Sequence, residues 1–471
     1  MRVLSGLEPK NVFGFFEDIC KIPHGSGNTE LISKYCVEFA QKHGLFFHKD
    51  SMNNVIIRKP ASQGYEAHPT VILQAHLDMV CEKLPGCGMN FETDALRLAT
   101  DGDYIFAENT TLGGDDGIGV AMILAILADK HAVHPELEAV FTVDEETGMY
   151  GAQALDASLL KGRMLINIDS EEMGVLTVGC AGGARADLTL PLKRTQSSSP
   201  CFEITVSGLA GGHSGMEIDK GRLNANKVMG DFLRSVYADV NIVSVEGGSK
   251  DNAIPRECRC IVCTDADIAH TAAEFAQKNR VPGDPGLTVS VKPVGGFKTC
   301  CDSDTTAKII ELICGLPFGV IKMSDDISGL VQTSVNFGIL KSGEDSLCAS
   351  FSVRSSVESE KEQQLADLCK IITKYGGSFK SRGNYPAWEY RKNSRLRDIM
   401  ISAYSDMFGV SPKIEAIHAG LECGLFAEKI ADFDAVSIGP DMYDVHTARE
   451  RLSISSTGKV YDYLRQVLMR L

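Results

Sequence analysis

The sequence predicts an α/β protein with a mixed, largely parallel sheet, interrupted midway by an inserted α+β segment. Three observations predict it. Short β-rich runs alternate with helical patterns over the first 180 or so residues, the texture changes near Arg185, and the alternation returns from Ser394 onward. A chain of 471 residues is also too long for one core, which argues for more than one domain.

Helical periodicity marks Asn11–Ile22 and Thr29–His43. Val71–Ala75, Leu137–Val143 and Met164–Ile168 are short runs rich in β-formers, each bounded by polar turns. Between the first two, Asp116–Ala128 carries an apolar helical pattern, and strand–helix alternation of this kind favours parallel pairing. Past Arg185, a polar connector, Lys193–Pro200, leads into a strand at Cys201–Val206. A glycine-rich turn, Gly208–Gly215, and a helix over about Arg222–Val236 come next. A second round runs from Val331 to Tyr375, with a strand at Leu347–Arg354 and a helix at Glu358–Tyr375, so the insertion reads as two repeated α+β units. A helix at Ser394–Phe408, a strand at Ala435–Ile438 and a last helix at Ser456–Leu471 restore the first texture. The expected division is 1–185 with 386–471 for the α/β domain and 186–385 for the insertion, a lid.

A formal charge of −15 argues against nucleic acid, whose binding rests on Lys and Arg meeting phosphates, and against an anionic membrane surface. The longest apolar stretch, Gly119–Ala128, falls well short of the ~20 residues of a membrane helix. The first residues show no secretory signal, and fifteen scattered cysteines suit a reducing compartment, so the cytoplasm is expected. Cys258, Cys260 and Cys263, with Cys300 and Cys301 beyond, have spacing that a structural zinc would accept. Cys258 and Cys260 also alternate as core positions of a strand do, and no second well-spaced pair comes after them.

Acids and histidines gather where the apolar strands end, the edge at which open α/β sheets bind ligands. His76 and Asp78 are two apart in extended chain and share a face, and Asp78 is suited to hold the second ring nitrogen of a metal-bound His76. In the turn Gly113–Gly119, Asp116 reads as a helix N-cap, which leaves Asp115 free to meet a cation. Asp144, Glu145 and Glu146 end another strand, and three adjacent acids repel unless a cation joins them. Asp169 ends a fourth. One histidine with several carboxylates suits zinc, cobalt or manganese, and a carboxylate shared by two ions is the usual two-metal clamp of hydrolases. A second ion wants a second histidine. His446, after the strand at Val436–Ile438 and a turn, is the best candidate.

Taken together, His76-x-Asp78, Gly-Gly-Asp115-Asp-Gly, Asp-Glu145-Glu146-Thr-Gly, Asn-Ile-Asp169, Gly-Gly-His213-Ser-Gly and the late His446 resemble the co-catalytic zinc peptidases. That family includes carnosinase, aminoacylase and the tripeptide aminopeptidases, and the resemblance runs from about Leu7 to the C-terminus. Asn252–Arg256, His418–Gly424 and the Arg449–Arg451 neighbourhood resemble its bacterial dipeptidase branch. The resemblance implies two Zn2+ per chain, with Co2+ or Mn2+ as substitutes. One ion would lie on His76, Asp115 and Asp169, the other on Asp115, Glu146 and His446, with the Asp115–Asp116 peptide cis.

It further implies Glu145 as general base, Asp78 as the residue that orients His76, and His213 as the donor to the oxyanion. Arg354 and Asn252 would contact a small peptide substrate, with Arg354 gripping its free carboxylate. Two departures from the branch are Thr447-Ala-Arg449 after His446, where Ser-Pro-Asp-Glu is usual, and Gly114, where alanine is common. A tripeptide aminopeptidase or an N-acyl amino acid deacylase would share this metal core. A non-catalytic relative would have lost a ligand or the base, and none is missing. In dimeric relatives the lid histidine reaches across subunits, and the repeated insertion here offers a substitute for that partner, so monomer and homodimer both stay open.

Overall fold

The computed structural model describes residues 2–237 and 240–471. They form two compact units, one of Met1–Gly179, Tyr390–Ala416 and Leu421–Leu471, the other of Cys180–Glu389 with Ile417–Gly420.

The first unit is built on an eight-stranded sheet. Its centre holds Leu137–Thr142, Val71–His76, Met164–Asn167 and Asp434–Ser437, side by side and parallel. All four are buried from end to end, which is why they read as near-continuous apolar runs rather than alternating ones. The flanks run antiparallel, with Phe46–Lys49 and Val55–Lys59 on one side and Val175–Cys180 next to Asp434–Ser437 on the other. The register sets His76 opposite Thr142, Gln74 opposite Asn167 and Ser437 opposite Asn167. The carboxyl ends of the four parallel strands therefore lie along one edge, and the loop after each strand starts there.

The helix Gly114–Ala128 is buried at every position from Gly114 to Leu127, as a helix apolar all round must be. Its first turn departs from helical geometry at Asp115 and Asp116. A smaller antiparallel sheet joins Leu98–Asp101, Tyr104–Ala107, Arg451–Ser453 and Met442–Tyr443, and its last two strands hold the loop 444–450 between them.

The second unit is a nine-stranded sheet, antiparallel throughout the pairs described, in which Thr288–Val294 and Ser378–Tyr385 form the ends of the main path. The two expected rounds of strand and helix both feed this one sheet. Helices Ala225–Ser235, Ser303–Gly315 and Glu358–Lys374 pack their apolar residues onto it. Gly182–Pro191, which the sequence pattern left without an element, is a ten-residue strand between Ser346–Ser355 and Ser378–Tyr385.

Cys258 and Cys260 point into this core from the strand Cys258–Cys263. Cys263 lies in a separate apolar cluster with Cys201, Val243 and Cys300. None of the fifteen cysteines is in a disulfide, and among the described residues no three of them gather as metal ligands do. Cys258, Cys260, Cys263, Cys300 and Cys301 are buried core residues.

Candidate metal centre

Each parallel strand delivers its polar residues to the same edge of the first unit. His76 is the last residue of its strand, and its ring is buried. His76 Nε2 lies 3.0 Å from Asp115 Oδ1 and 3.5 Å from Asp169 Oδ1. His446 Nε2 lies 3.1 Å from the other oxygen of the same carboxylate, Asp115 Oδ2, and 2.9 Å from Glu146 Oε1. Asp115 thus turns one oxygen to each histidine, and each histidine has a further acid of its own. The ligand atoms of Asp115, Glu146 and His446 all lie within 4.8 Å of one another. Those of His76, Asp116 and Asp169, and of His76, Glu145 and Glu146, gather equally closely. The Asp115–Asp116 peptide is cis.

Asp78 ties this arrangement together. His76 Nδ1 lies 2.9 Å from the Asp78 carbonyl oxygen and 3.5 Å from Asp78 Oδ1, so the backbone, rather than the expected carboxylate, is the nearer acceptor for the ring. The carboxylate is taken up elsewhere. It accepts the Ser26 hydroxyl (2.8 Å) and the backbone N–H groups of Glu145 (3.1 Å) and Glu146 (3.4 Å). One buried acid therefore links the His76 ring to the peptide that carries Glu145 and Glu146. Asp144 and His446 hold left-handed backbone angles, φ 55° and 61°, which are uncommon outside glycine.

Asp116 is not the N-cap that its position suggested. Gly113 occupies the cap, and Asp116 Oδ2 accepts the backbone N–H of His76 at 3.1 Å. The departure from helical geometry at Asp115 and Asp116 is the physical reason, since it turns this carboxylate away from the helix amides and toward the His76 strand.

The electrostatics result from crowding acids in a buried place. Burial pushes the Asp169 carboxyl up to about 8 even though His76 pulls it down. Glu145 is raised well above the ordinary carboxylate range by burial, with Asp169, Glu422 and Glu146 adding to the rise. Burial also acts to raise Asp115, but hydrogen bonds from His446 and His76 override it and hold the carboxyl far below its usual value. His446 is drawn up to about 11 by Asp115 and Glu146. Among the described residues, the ion pairs of Asp115, Asp169 and Glu146 are with histidines alone. Two imidazoles and several carboxylates, with one carboxylate facing both imidazoles, fit a pair of hard-to-borderline divalent cations.

His213, Asn252 and Arg354 belong to the second unit. His213 sits on Gly212–His213, paired with Ala253–Ile254, and the Asn252 carbonyl accepts the N–H of Ser214 at 2.9 Å. His213 Nδ1 accepts the N–H groups of Gly215 (3.2 Å) and Met216 (3.3 Å). Its ring proton therefore resides on Nε2, which leaves the exposed ring a donor there. Arg354 donates Nη1–H to the Tyr385 hydroxyl (3.0 Å), and its buried Nε has no partner. Opposite it in register stands Ser334, whose hydroxyl lies 2.7 Å from His418 Nε2. Burial, and then Arg354, push the His418 imidazole down to about 3, so this ring is neutral.

Four residues around the metal centre are not evident from the sequence: Ser26 on Asp78, Asp116 as a brace for His76, Glu422 beneath the sheet edge and Glu450 behind Asp115. Asp116, Glu422 and Glu450 lie inside the motifs Gly113–Gly119, His418–Gly424 and Arg449–Arg451, but nothing in those motifs names their partners, and Ser26 carried no signal.

Residues 72–470 match the sequence profile of a family described as Peptidase family M20/M25/M40. The cytosol non-specific dipeptidase of Escherichia coli strain K12 is 36% identical over 479 residues, 99% of each chain. The crystal structure of aminoacylhistidine dipeptidase from Vibrio alginolyticus superposes with a TM-score of 0.94 at 35% identity, covering 99% of this chain and 98% of that one. Aminopeptidase PepT from Bacillus cereus shares the fold, with a TM-score of 0.58 at 15% identity over 98% of both chains.

Proposed function

The chain belongs to peptidase family M20/M25/M40, and from that premise we propose that it is a metal-dependent dipeptidase, hydrolysing short peptides with free termini, including those ending in histidine. The observation that carries this reading is the Asp115 carboxylate, with one oxygen on His76 and the other on His446, in a chain matched from end to end by two dipeptidases.

His76, Asp115 and Asp169 would hold one cation, and Asp115, Glu146 and His446 the other. Zinc is the first candidate, with cobalt or manganese as substitutes. Such a pair supplies Lewis-acid polarisation of the scissile carbonyl and acidifies water toward neutral pH. Glu145 takes a proton from the attacking water and returns it to the leaving amine nitrogen. Its proton affinity, raised above the ordinary carboxylate range first by burial, suits a group that must hold that proton in transit. Asp78 keeps His76 and the Glu145–Glu146 peptide in one geometry through the hydrogen bonds they share. His213 Nε2–H is suited to stabilise an oxyanion, and the Arg354 guanidinium to pair with a free carboxylate, with Asn252 as a further polar contact. Fifteen cysteines with no disulfide among them agree with work in the cytoplasm, and no helix among the described residues is long and apolar enough to cross a membrane.

Glu145→Gln tests the reading. It should retain two metal ions per chain by elemental analysis while kcat on a dipeptide falls about 10³-fold, within the range for a lost general base. Near-normal turnover would remove Glu145 from that role. The same wild-type preparation should cleave a dipeptide well ahead of a tripeptide and an N-acyl amino acid, and the reverse order would make it a different peptidase or a deacylase.

A further inference from the structure

Behind Asp115 the structure holds an arrangement that none of the proposed chemistry uses. Glu450 is 3% exposed, and its carboxylate accepts four consecutive backbone amides. Oε2 takes the N–H groups of Leu112 (2.8 Å) and Gly113 (3.2 Å), and Oε1 takes those of Gly114 (2.7 Å) and Asp115 (3.4 Å). Four successive amides converge on one anion only if the chain curls around it, and the left-handed backbone of Gly113, φ 65°, is part of that curl. Buried amides left without acceptors are costly, so the curl and the carboxylate require each other.

Glu450 arrives on the loop 444–450, which is braced within itself by the bonds Thr447 N–H to the Asp444 carbonyl (3.2 Å) and Glu450 N–H to the Thr447 carbonyl (3.1 Å). The same loop carries His446. One short segment therefore grips the Asp115 turn twice, through its side chain at Oδ2 from His446 and through its backbone from Glu450.

We infer that Glu450 is a positioning residue for Asp115: it holds the backbone that keeps the Asp115 carboxylate turned with one oxygen toward each histidine. The inference rests on the reading of Asp115 as the ligand shared by two cations. Loss of the Glu450 carboxylate would let the turn rotate, and the second cation suffers most, since both Asp115 and His446 reach it from the segments that Glu450 joins.

The test uses the full-length chain, freed of metal and titrated with Mn2+, with bound metal counted by elemental analysis and electron paramagnetic resonance recorded at each step. Glu450→Gln offers one acceptor oxygen to four donors, so at least two amides lose their partner. One Mn2+ should then bind with wild-type affinity and the second about 10–100-fold more weakly, the usual cost of losing a partner behind the ligands. The signal of a coupled pair should give way to that of an isolated ion. Glu450→Asp, which keeps the charge on a shorter stem, should recover part of both, a rescue that a general loss of packing would not produce. If Glu450→Gln fails to fold, Glu450→Asp decides alone by the same affinity and the same spectrum. Two ions at wild-type affinity with an unchanged coupled spectrum, in whichever of the two variants folds, would overturn the inference. Asp115→Asn is the separate control, for if it still holds a coupled pair, then the shared-ligand reading itself fails.

Discussion

Glu422 stands beneath the ends of the parallel strands with one carboxylate oxygen bonded to Gln74 Nε2 and Thr142 Oγ1, each at 2.6 Å, and the other buried without a partner. Burial outweighs those two bonds and raises its carboxyl to about 7 from an ordinary 4.5. Raising an acid in the folded state favours folding at low pH. Between pH 4.5 and 7 the unfolded chain has released this proton while the folded one keeps it, so stability declines as pH rises through that window and levels off above it. In metal-free protein held in chelator, Glu422→Gln should remove roughly 3 kcal/mol of that decline at pH 8 relative to pH 4.5, while Asp169 and Glu450, raised by burial in the same way, keep the remainder. Denaturant melts across pH would show it, and an unchanged slope would refute the assignment. The residues legible in the sequence were those whose partners are implied by their own chemistry: acids and histidines at strand ends ask for a cation. Glu422, Asp116 and Glu450 were not legible, because their partners are amides or neutral side chains on segments that are distant in sequence. Nothing in a local pattern links Glu450 to Leu112, and an aspartate at the start of an apolar helix looks the same whether it caps the helix or braces His76.

At the scale of elements, apolar runs and helical periodicity marked the four central parallel strands and the long helices of the first unit to within a few residues, because burial on both faces leaves little room for polar side chains. Antiparallel strands were less visible in both units. Phe46–Lys49 is exposed along most of its length, and Gly182–Pro191 begins with two glycines that blur its alternation. Close approach between elements also leaves a trace only once the fold is known. Gly439, just past the strand Asp434–Ser437, sits so near the Ser170 carbonyl that a Cβ there would overlap it. Gly439 is not in the left-handed region, so space is the constraint and backbone angle is not. Gly439→Ala should cost about 2–3 kcal/mol as an overpacked contact. It should also loosen metal binding, because Ser170 is the next residue after the ligand candidate Asp169. A lower midpoint of thermal unfolding together with reduced metal content would bear this out, and wild-type values of both would show that the turn yields freely.

For the whole molecule, composition set only outer bounds, since a net charge of −15 argues against nucleic acid and chooses among no other ligands. Under the proposed function, substrate choice would depend on single side chains such as Arg354, which composition does not reveal. Arg354→Ala should raise KM for free dipeptides about 10-fold or more and hardly change it for C-terminally amidated ones. Equal losses on both would count against recognition of the carboxylate. The discontinuity of the first unit has a further consequence. Its candidate ligands His76, Asp115, Glu146 and Asp169 precede the long insertion, whereas His446 and Glu450 come after it. During translation, a nascent chain exposes its clustered acids from Asp169 until His446, about 280 residues later, before the segment that completes the proposed second cation site leaves the ribosome. An abortive product cut short in that interval would lack the paired centre, so hydrolytic competence arrives only when synthesis is nearly done.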